Sequence, residues 1–137
     1  MKVELKNYEL SAAFRALRSF EDKDVDIVLG HNLGLMQLTL RDFVEKYEEK
    51  KNSTMQKHAK KDKDGEPIPV KDEAGNVVQG QIQIEDADAF MKNMNKLDTA
   101  TVELTLPVKV TLADFKEANV KVKMRDIRDL SPLLSKD

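Results

Sequence analysis

The chain contains no cysteine. Disulfides, thiol nucleophiles and thiolate metal sites are therefore excluded, and the composition fits a reducing compartment. Histidine is almost as scarce: His31 and His58 are the only two, 27 positions apart in a stretch read below as one helix. That separation is roughly 40 Å along a continuous helix. A hydrolytic zinc site, which uses three protein ligands, cannot be built on both. No serine sits in a Gly-x-Ser-x-Gly turn and no glycine-rich phosphate loop occurs, so nucleophilic catalysis and nucleotide cradling have no signature. Long apolar runs are missing too. Nothing approaches the roughly 18 residues of a membrane span, and Met1-Lys2-Val3-Glu4-Leu5-Lys6 alternates charged with apolar residues, unlike a signal peptide. An excess of one charge is also absent: 23 basic against 25 acidic side chains give a net charge of −2. A general nucleic-acid binder or an acidic DNA mimic would be far from balance. The expectation is a soluble, intracellular protein that is not an enzyme and has no cofactor, no metal and no membrane contact.

What is present is a helical pattern. At 137 residues, 40% hydrophobic and 35% charged, the chain is expected to be a single domain, 1–137, with a thin core. Leu29, Leu33, Met36, Leu40, Phe43 and Tyr47 recur at alternating steps of four and three. Only a helix places all six on one side, and the pattern predicts one long helix over about 26–61. The competing reading makes Val25 to Leu29 a strand, favoured by Gly30 and Gly34, each of which costs a helix about 1 kcal/mol relative to alanine. The spacing runs through both glycines unbroken, so the helix is preferred. Four residues apart, the glycines share a side and could admit another helix closely. From Glu45 to Lys61 the stretch is charged or polar, so that end is expected to face water or a partner.

Around this helix the chain reads as α+β, a helical hairpin with a third helix and a small, mostly antiparallel sheet. Val3 and Leu5 alternate with Lys2, Glu4 and Lys6 as a short strand. Asn7 is the expected N-cap of a first helix to about Phe20, with Leu10, Ala13, Phe14 and Leu17 inward. Residues 62–84 read as a β-hairpin-like extension after the long helix, with Pro67 and Pro69 in its extended arm and turns at Asp62 to Gly65 and Asp72 to Asn76. Glu85 and Asp86 open a third helix bearing Phe90, Met91, Met94 and Leu97. Val102, Leu104 and Leu106 make the clearest strand; Val120, Val122 and Met124 make another. Asp126 is the expected cap of a last short helix presenting Ile127, Leu130, Leu133 and Leu134.

Two motifs carry possible chemistry. Asp62-Lys63-Asp64-Gly65-Glu66 with Glu73 in the twelfth position has the carboxylate spacing of a calcium loop, but Pro67 stands where the loop needs glycine. A polar turn is the better reading. Lys57, Lys60 and Lys61 lie in a net-positive stretch at the end of the long helix and are candidate phosphate contacts, although no aromatic residue accompanies them for base stacking. The methionines, including Met36, Met55, Met91, Met94 and Met124, read as core or adaptable interface.

The order of a short helix, a long helix through Phe43-Val44-Glu45-Lys46-Tyr47-Glu48-Glu49-Lys50, and a Lys60-Lys61-Asp62-Lys63-Asp64-Gly65-Glu66 turn is followed by a Gly75-Asn76 hairpin. An acidic-capped helix with Phe90 and Leu97, the Val102-Glu103-Leu104 strand and a closing Leu130-Ser131-Pro132-Leu133-Leu134 complete it. Over about residues 10–134 this pattern resembles small tailed-phage or prophage accessory proteins of unknown function. The resemblance implies a phage origin, a non-enzymatic accessory role and a location in the host cytoplasm or the virion, and it assigns no functional residue.

The function expected from these readings is protein–protein contact, by self-association into a homo-oligomer or with a virion or host protein. Candidate interface residues are Leu33, Met36, Leu40, Phe43 and Tyr47 on the long helix, with Pro67 and Pro69 on the hairpin. The competing use of the first five is internal packing on Phe14, Leu17 and the third helix. Two alternatives are an inhibitor or modulator of a host enzyme such as a nuclease or defence factor, and a nucleic-acid-binding module using Lys57, Lys60 and Lys61, which the charge balance disfavours.

Overall fold

A computed structural model describes residues 1–136. It has the α+β architecture that the sequence predicts. Its elements in order are β1 (Lys2–Lys6), α1 (Asn7–Arg18), α2 (Ile27–His58), β2 (Pro69–Lys71), β3 (Val77–Ile82), α3 (Ala87–Thr99), β4 (Thr101–Thr105), α4 (Leu112–Glu117) and α5 (Met124–Leu130), closed by a 3-10 turn at Ser131–Leu133. The chain divides into two compact units. The first comprises Met1–Tyr47 and Asp98 onward, the second Glu48–Leu97.

In the first unit, β1 and β4 pair antiparallel, with Val3 opposite Leu104 and Leu5 opposite Val102. Alternation places Leu5 and Leu104 in the core and leaves Lys2, Glu4 and Lys6 exposed. The ladder runs straight into α1, because the Asn7 amide donates to the Ala100 carbonyl at 2.9 Å. Asn7 is therefore not the cap. It is the first helical residue and is buried, and the N-cap is Lys6, whose amide donates to the Glu9 carboxylate at 3.0 Å. Leu10, Ala13, Ala16 and Leu17 of α1 are buried, and α1 packs against α5.

α2 begins where Asp26 caps it: one carboxylate oxygen accepts from the amides of Val28 at 3.2 Å and Leu29 at 3.3 Å. The strand alternative at Val25–Leu29 does not form, and Gly30 and Gly34 lie within the helix. The helix stops at His58, three residues before the expected end, because Ala59 and Lys61 enter β-bridges instead. Leu29, Leu33, Met36 and Leu40 join Leu5, Leu10, Leu17, Phe20, Leu104, Leu106, Val110, Phe115, Leu130 and Leu133 in one core.

After β4, the turn into α4 is fixed by a reciprocal box. The Thr111 hydroxyl accepts from the Asp114 amide, and the Asp114 carboxylate accepts from the Thr111 amide at 2.8 Å. α4 ends in a Schellman motif: Asn119 takes a left-handed backbone (φ 55°), the Val120 amide donates to the Phe115 carbonyl at 3.2 Å and the Asn119 amide to Lys116 at 3.1 Å. The strand expected at Val120–Met124 does not form. Val120 and Val122 are extended and pack half-buried on the core, with no strand partner among the described residues, and Met124 is already the first residue of α5. Alternation there reports which side meets the core, whereas a strand also needs a neighbour. Asp126 is likewise not the cap of α5, which is Lys123; it lies buried in the first turn beside the Ser19 hydroxyl at 3.2 Å.

The second unit is built on the C-terminal part of α2. Beyond His58 the chain becomes extended, and Lys60 is held from both sides: its amide donates to Gln83 (2.8 Å) and its carbonyl accepts from Ile68 (2.9 Å). Ile68 in turn accepts from the Gln83 amide at 2.7 Å. β2 and β3 pair antiparallel, giving the hairpin region expected after the long helix. Two turns of one design join these segments. In each an aspartate oxygen, of Asp62 or Asp72, accepts two backbone amides, those of Asp64 and Glu66 or of Ala74 and Asn76. Gly65 (φ 79°) and Gly75 (φ 85°) supply the left-handed residue. These turns occupy the calcium-like motif. Ala59 is the one fully buried apolar residue of this unit among those described, while Ile68, Ile82, Ile84, Phe90 and Met94 are half-buried.

Candidate functional site

The helix stripe expected to meet a partner is used internally. Leu33, Met36, Leu40 and Tyr47 are buried, and Phe43 is half-buried against the core. Tyr47 also donates its hydroxyl hydrogen to the Asp98 carboxylate, which sits in the last turn of α3, where the helix dipole disfavours a negative charge. An amphipathic stripe reads the same whether a core or a partner covers it, and here the core does. Pro67 and Pro69 are half-buried in the second unit, Pro67 in a bridge to Lys61 and Pro69 opposite Ile82. Within the first unit, then, Leu33, Met36, Leu40 and Tyr47 offer no free face.

Lys57, Lys60 and Lys61 are exposed, and none of the three is ion-paired among the described residues. Lys57 and Lys61 border an open hollow of about 690 Å³ with Glu49, Asn52, Ser53 and Gln56. Its wall offers amide, hydroxyl and ammonium donors, with one carboxylate opposing them, and no aromatic ring. His58 is half-buried and is a joint of the second unit. Its ring meets Phe90 edge-on at 5.8 Å, its Nε2 lies 2.8 Å from the Asn93 side-chain amide, and its carbonyl accepts from the Glu85 amide at 3.0 Å.

A hollow of about 360 Å³ in the first unit is lined by Asp26, Asn32, Lys109, Asp114 and Glu117, among others. Asp26 and Asp114 already accept from the amides at the starts of α2 and α4. No cluster of three or more ligating side chains suited to a metal occurs among the described residues.

The site that the sequence did not announce is apolar. Leu112, Phe115, Val120, Val122, Ile127, Leu130 and Leu134, together with Lys116, line a half-open hollow of about 260 Å³. It adjoins a second of about 270 Å³ that shares Leu112, Ile127 and Leu134 and is rimmed by Thr111, Ser131, Ser135 and Lys136. The Schellman turn puts Val120 beside Phe115, and the Ser135 amide donates to the Val110 carbonyl at 2.8 Å, pinning the C-terminal segment along the second hollow. Phe115 is fixed from behind by Phe20, ring centres 5.5 Å apart. At the edge, Leu112 is 55% exposed; nearby in sequence, Met124 is 86% exposed at the start of α5. Which of these residues meet the core and which the surface depends on what α1 and Phe20 cover.

No protein-family model, curated protein or solved structure matches the chain.

Among the described residues no helix is long and apolar enough to cross a membrane. The candidate surfaces are the apolar hollows between α4 and α5 in the first unit and the lysine-edged hollow in the second.

Proposed function

We propose that this is a non-enzymatic accessory protein of a tailed phage, acting through protein–protein contact with a virion or host protein or with itself. The phage setting rests on the pattern resemblance over residues 10–134. The contact role rests on the apolar hollows along α4 and α5. Two adjoining hollows of about 260 and 270 Å³ share Leu112, Ile127 and Leu134 at a surface with few polar groups. Such a patch, rimmed by hydroxyls and two lysines, is what an apolar side chain of a partner can enter. The polar groups there are the hydroxyls of Thr111, Ser131 and Ser135 and the amines of Lys116 and Lys136, with no carboxylate or imidazole among the described residues to pair with them, so apolar burial is the main chemistry on offer.

The test compares tagged wild type with Leu112→Glu and Met124→Glu in affinity capture from phage-infected host lysate treated with nuclease. Both positions are exposed, so both variants should fold as the wild type does. A protein recovered in fixed ratio by the wild type and lost with Leu112→Glu supports the reading. Capture that is indifferent to both substitutions moves the contact elsewhere, and no capture at all contradicts the reading. If the recovered protein is a host enzyme whose activity falls in the complex, the contact is inhibitory.

Lys57, Lys60 and Lys61, exposed and not ion-paired among the described residues, favour one second reading, binding to a phosphate backbone. It requires an affinity that drops steeply between 50 and 200 mM salt and is lost when all three lysines become alanine.

A further inference from the structure

We propose that the two adjoining hollows along α4 and α5 take an acidic peptide segment of a partner, its large apolar side chains seated in the hollows and its carboxylates against Lys116 and Lys136. This rests on the contact reading above and names the chemistry of the partner. Each hollow carries one ammonium, that of Lys116 at the first and of Lys136 at the second, and among the described residues no carboxylate lines either. Both lysines are exposed, and neither is in an ion pair among the described residues.

The separation of charge begins in the short sequence of α4, Leu112-Ala113-Asp114-Phe115-Lys116-Glu117. Positions three and four apart share a side of a helix. Leu112, Phe115 and Lys116 therefore stand together on the apolar hollow, while Asp114 and Glu117 line the separate hollow of about 360 Å³. Both carboxylates of α4 are thus turned from the apolar surface, and Asp114 also accepts from the Thr111 amide. Those of α5 are engaged as well: Asp126 is buried beside the Ser19 hydroxyl, and Asp129 pairs with Arg128 at 3.3 Å. Lys121 and Lys123, both exposed, flank Val122 of the lining. The chain as a whole carries a net charge of −2, so this edge is positive against the overall balance. A partner of opposite sign is steered to such an edge and fixed in register there, while the apolar floor supplies the burial. Two ammonium groups at two hollows match several carboxylates along one peptide better than the single head group of a fatty acid. The half-open hollows would also leave much of an alkyl chain in water.

The test is selection of a displayed library of random twelve-residue peptides on the immobilised full chain, with the affinities of recovered peptides measured by fluorescence anisotropy. Recovered sequences should combine Leu, Ile, Phe or Met with Asp or Glu and be net negative. Leu112→Glu should weaken their binding at least tenfold, and raising salt from about 50 to 500 mM should weaken it severalfold. Charge reversal is the decisive arm. The double variant Lys116→Glu, Lys136→Glu, altered only at exposed positions, should melt as the wild type does and select basic apolar peptides in place of acidic ones; Lys116→Gln with Lys136→Gln should remove the preference. Leu112-dependent peptides without an acidic bias, or a bias that survives charge reversal, would overturn the inference and leave the contact reading standing. A library that yields no Leu112-dependent peptide also overturns it, and capture from infected lysate then decides the contact reading separately. Dodecanoate that binds through Leu112 where no peptide does makes the occupant a lipid carboxylate and overturns it likewise.

Discussion

Tyr47 shows how a side chain can carry two meanings in a sequence. Its ring belongs to the apolar stripe of α2 and is buried, and its hydroxyl reaches the Asp98 carboxylate. A hydrogen bond to a charged acceptor contributes about 1.5–3 kcal/mol. Tyr47→Phe should therefore lower unfolding stability by about that much in a urea titration, while Tyr8→Phe, at an exposed position, should leave it unchanged. Ser19 offers a second case. Its single hydroxyl proton lies near both the Ala16 carbonyl at 2.6 Å and the buried Asp126 carboxylate at 3.2 Å, and it can serve only one at a time. Asp126 and Ser19 are 107 positions apart, so this contact had no trace in the local pattern, which made Asp126 a cap instead. His58 was equally opaque. Its importance comes from Phe90 and Asn93, more than 30 positions on, and a solvated histidine and a joint histidine look alike in a sequence. His58→Ala should lose the ring contact and the hydrogen bond together, and selectively raise amide exchange in the second unit.

At the scale of elements, spacing carried most of the fold. The four-three recurrence from Leu29 to Tyr47 located α2 to within a few residues, and the carboxylate capping by Asp26 sharpened its start. Alternation located β1 and β4 but overreached at Val120 and Val122, because burial on one side is not pairing. The repeated Lys-Asp-x-x-Gly of residues 61–65 and 71–75 went unread as a repeat. It encodes the same turn twice, an aspartate oxygen accepting two amides and a glycine at positive φ. Gly65→Ala and Gly75→Ala each force a side chain into the left-handed region. Each should cost about 1 kcal/mol, read as a loss of melting temperature. At Asn119, which closes α4 in the same backbone region, Gly should be neutral or stabilising and Val destabilising. Which apolar faces of α2, α4 and α5 stay uncovered could not be read from the elements themselves, since each face is settled by what packs on it.

At the scale of the molecule, apolar burial is unequal. The first unit holds the continuous core, with Leu5, Leu10, Leu17, Met36, Leu40, Leu104, Val110, Leu130 and Leu133 each almost fully buried. The second is held largely by backbone pairing, two capped turns and half-buried side chains. Leu40→Ala should cost about 2–5 kcal/mol in global stability, the range for truncating a fully buried leucine. Hydrogen exchange followed by mass spectrometry should show residues 59–86 exchanging well before α1 and the first half of α2, because local opening follows the density of buried apolar contacts. Equal protection in both units would contradict that division. The apolar hollows left open by this arrangement lie along α4 and α5, and the function proposed here depends on their being covered by protein. The most direct measurement is the native mass of the tagged chain recovered from nuclease-treated, phage-infected lysate. The account predicts a complex containing at least one further chain, foreign or identical, in fixed ratio. Recovery of the free monomer alone, at concentrations where a micromolar contact would persist, would contradict it.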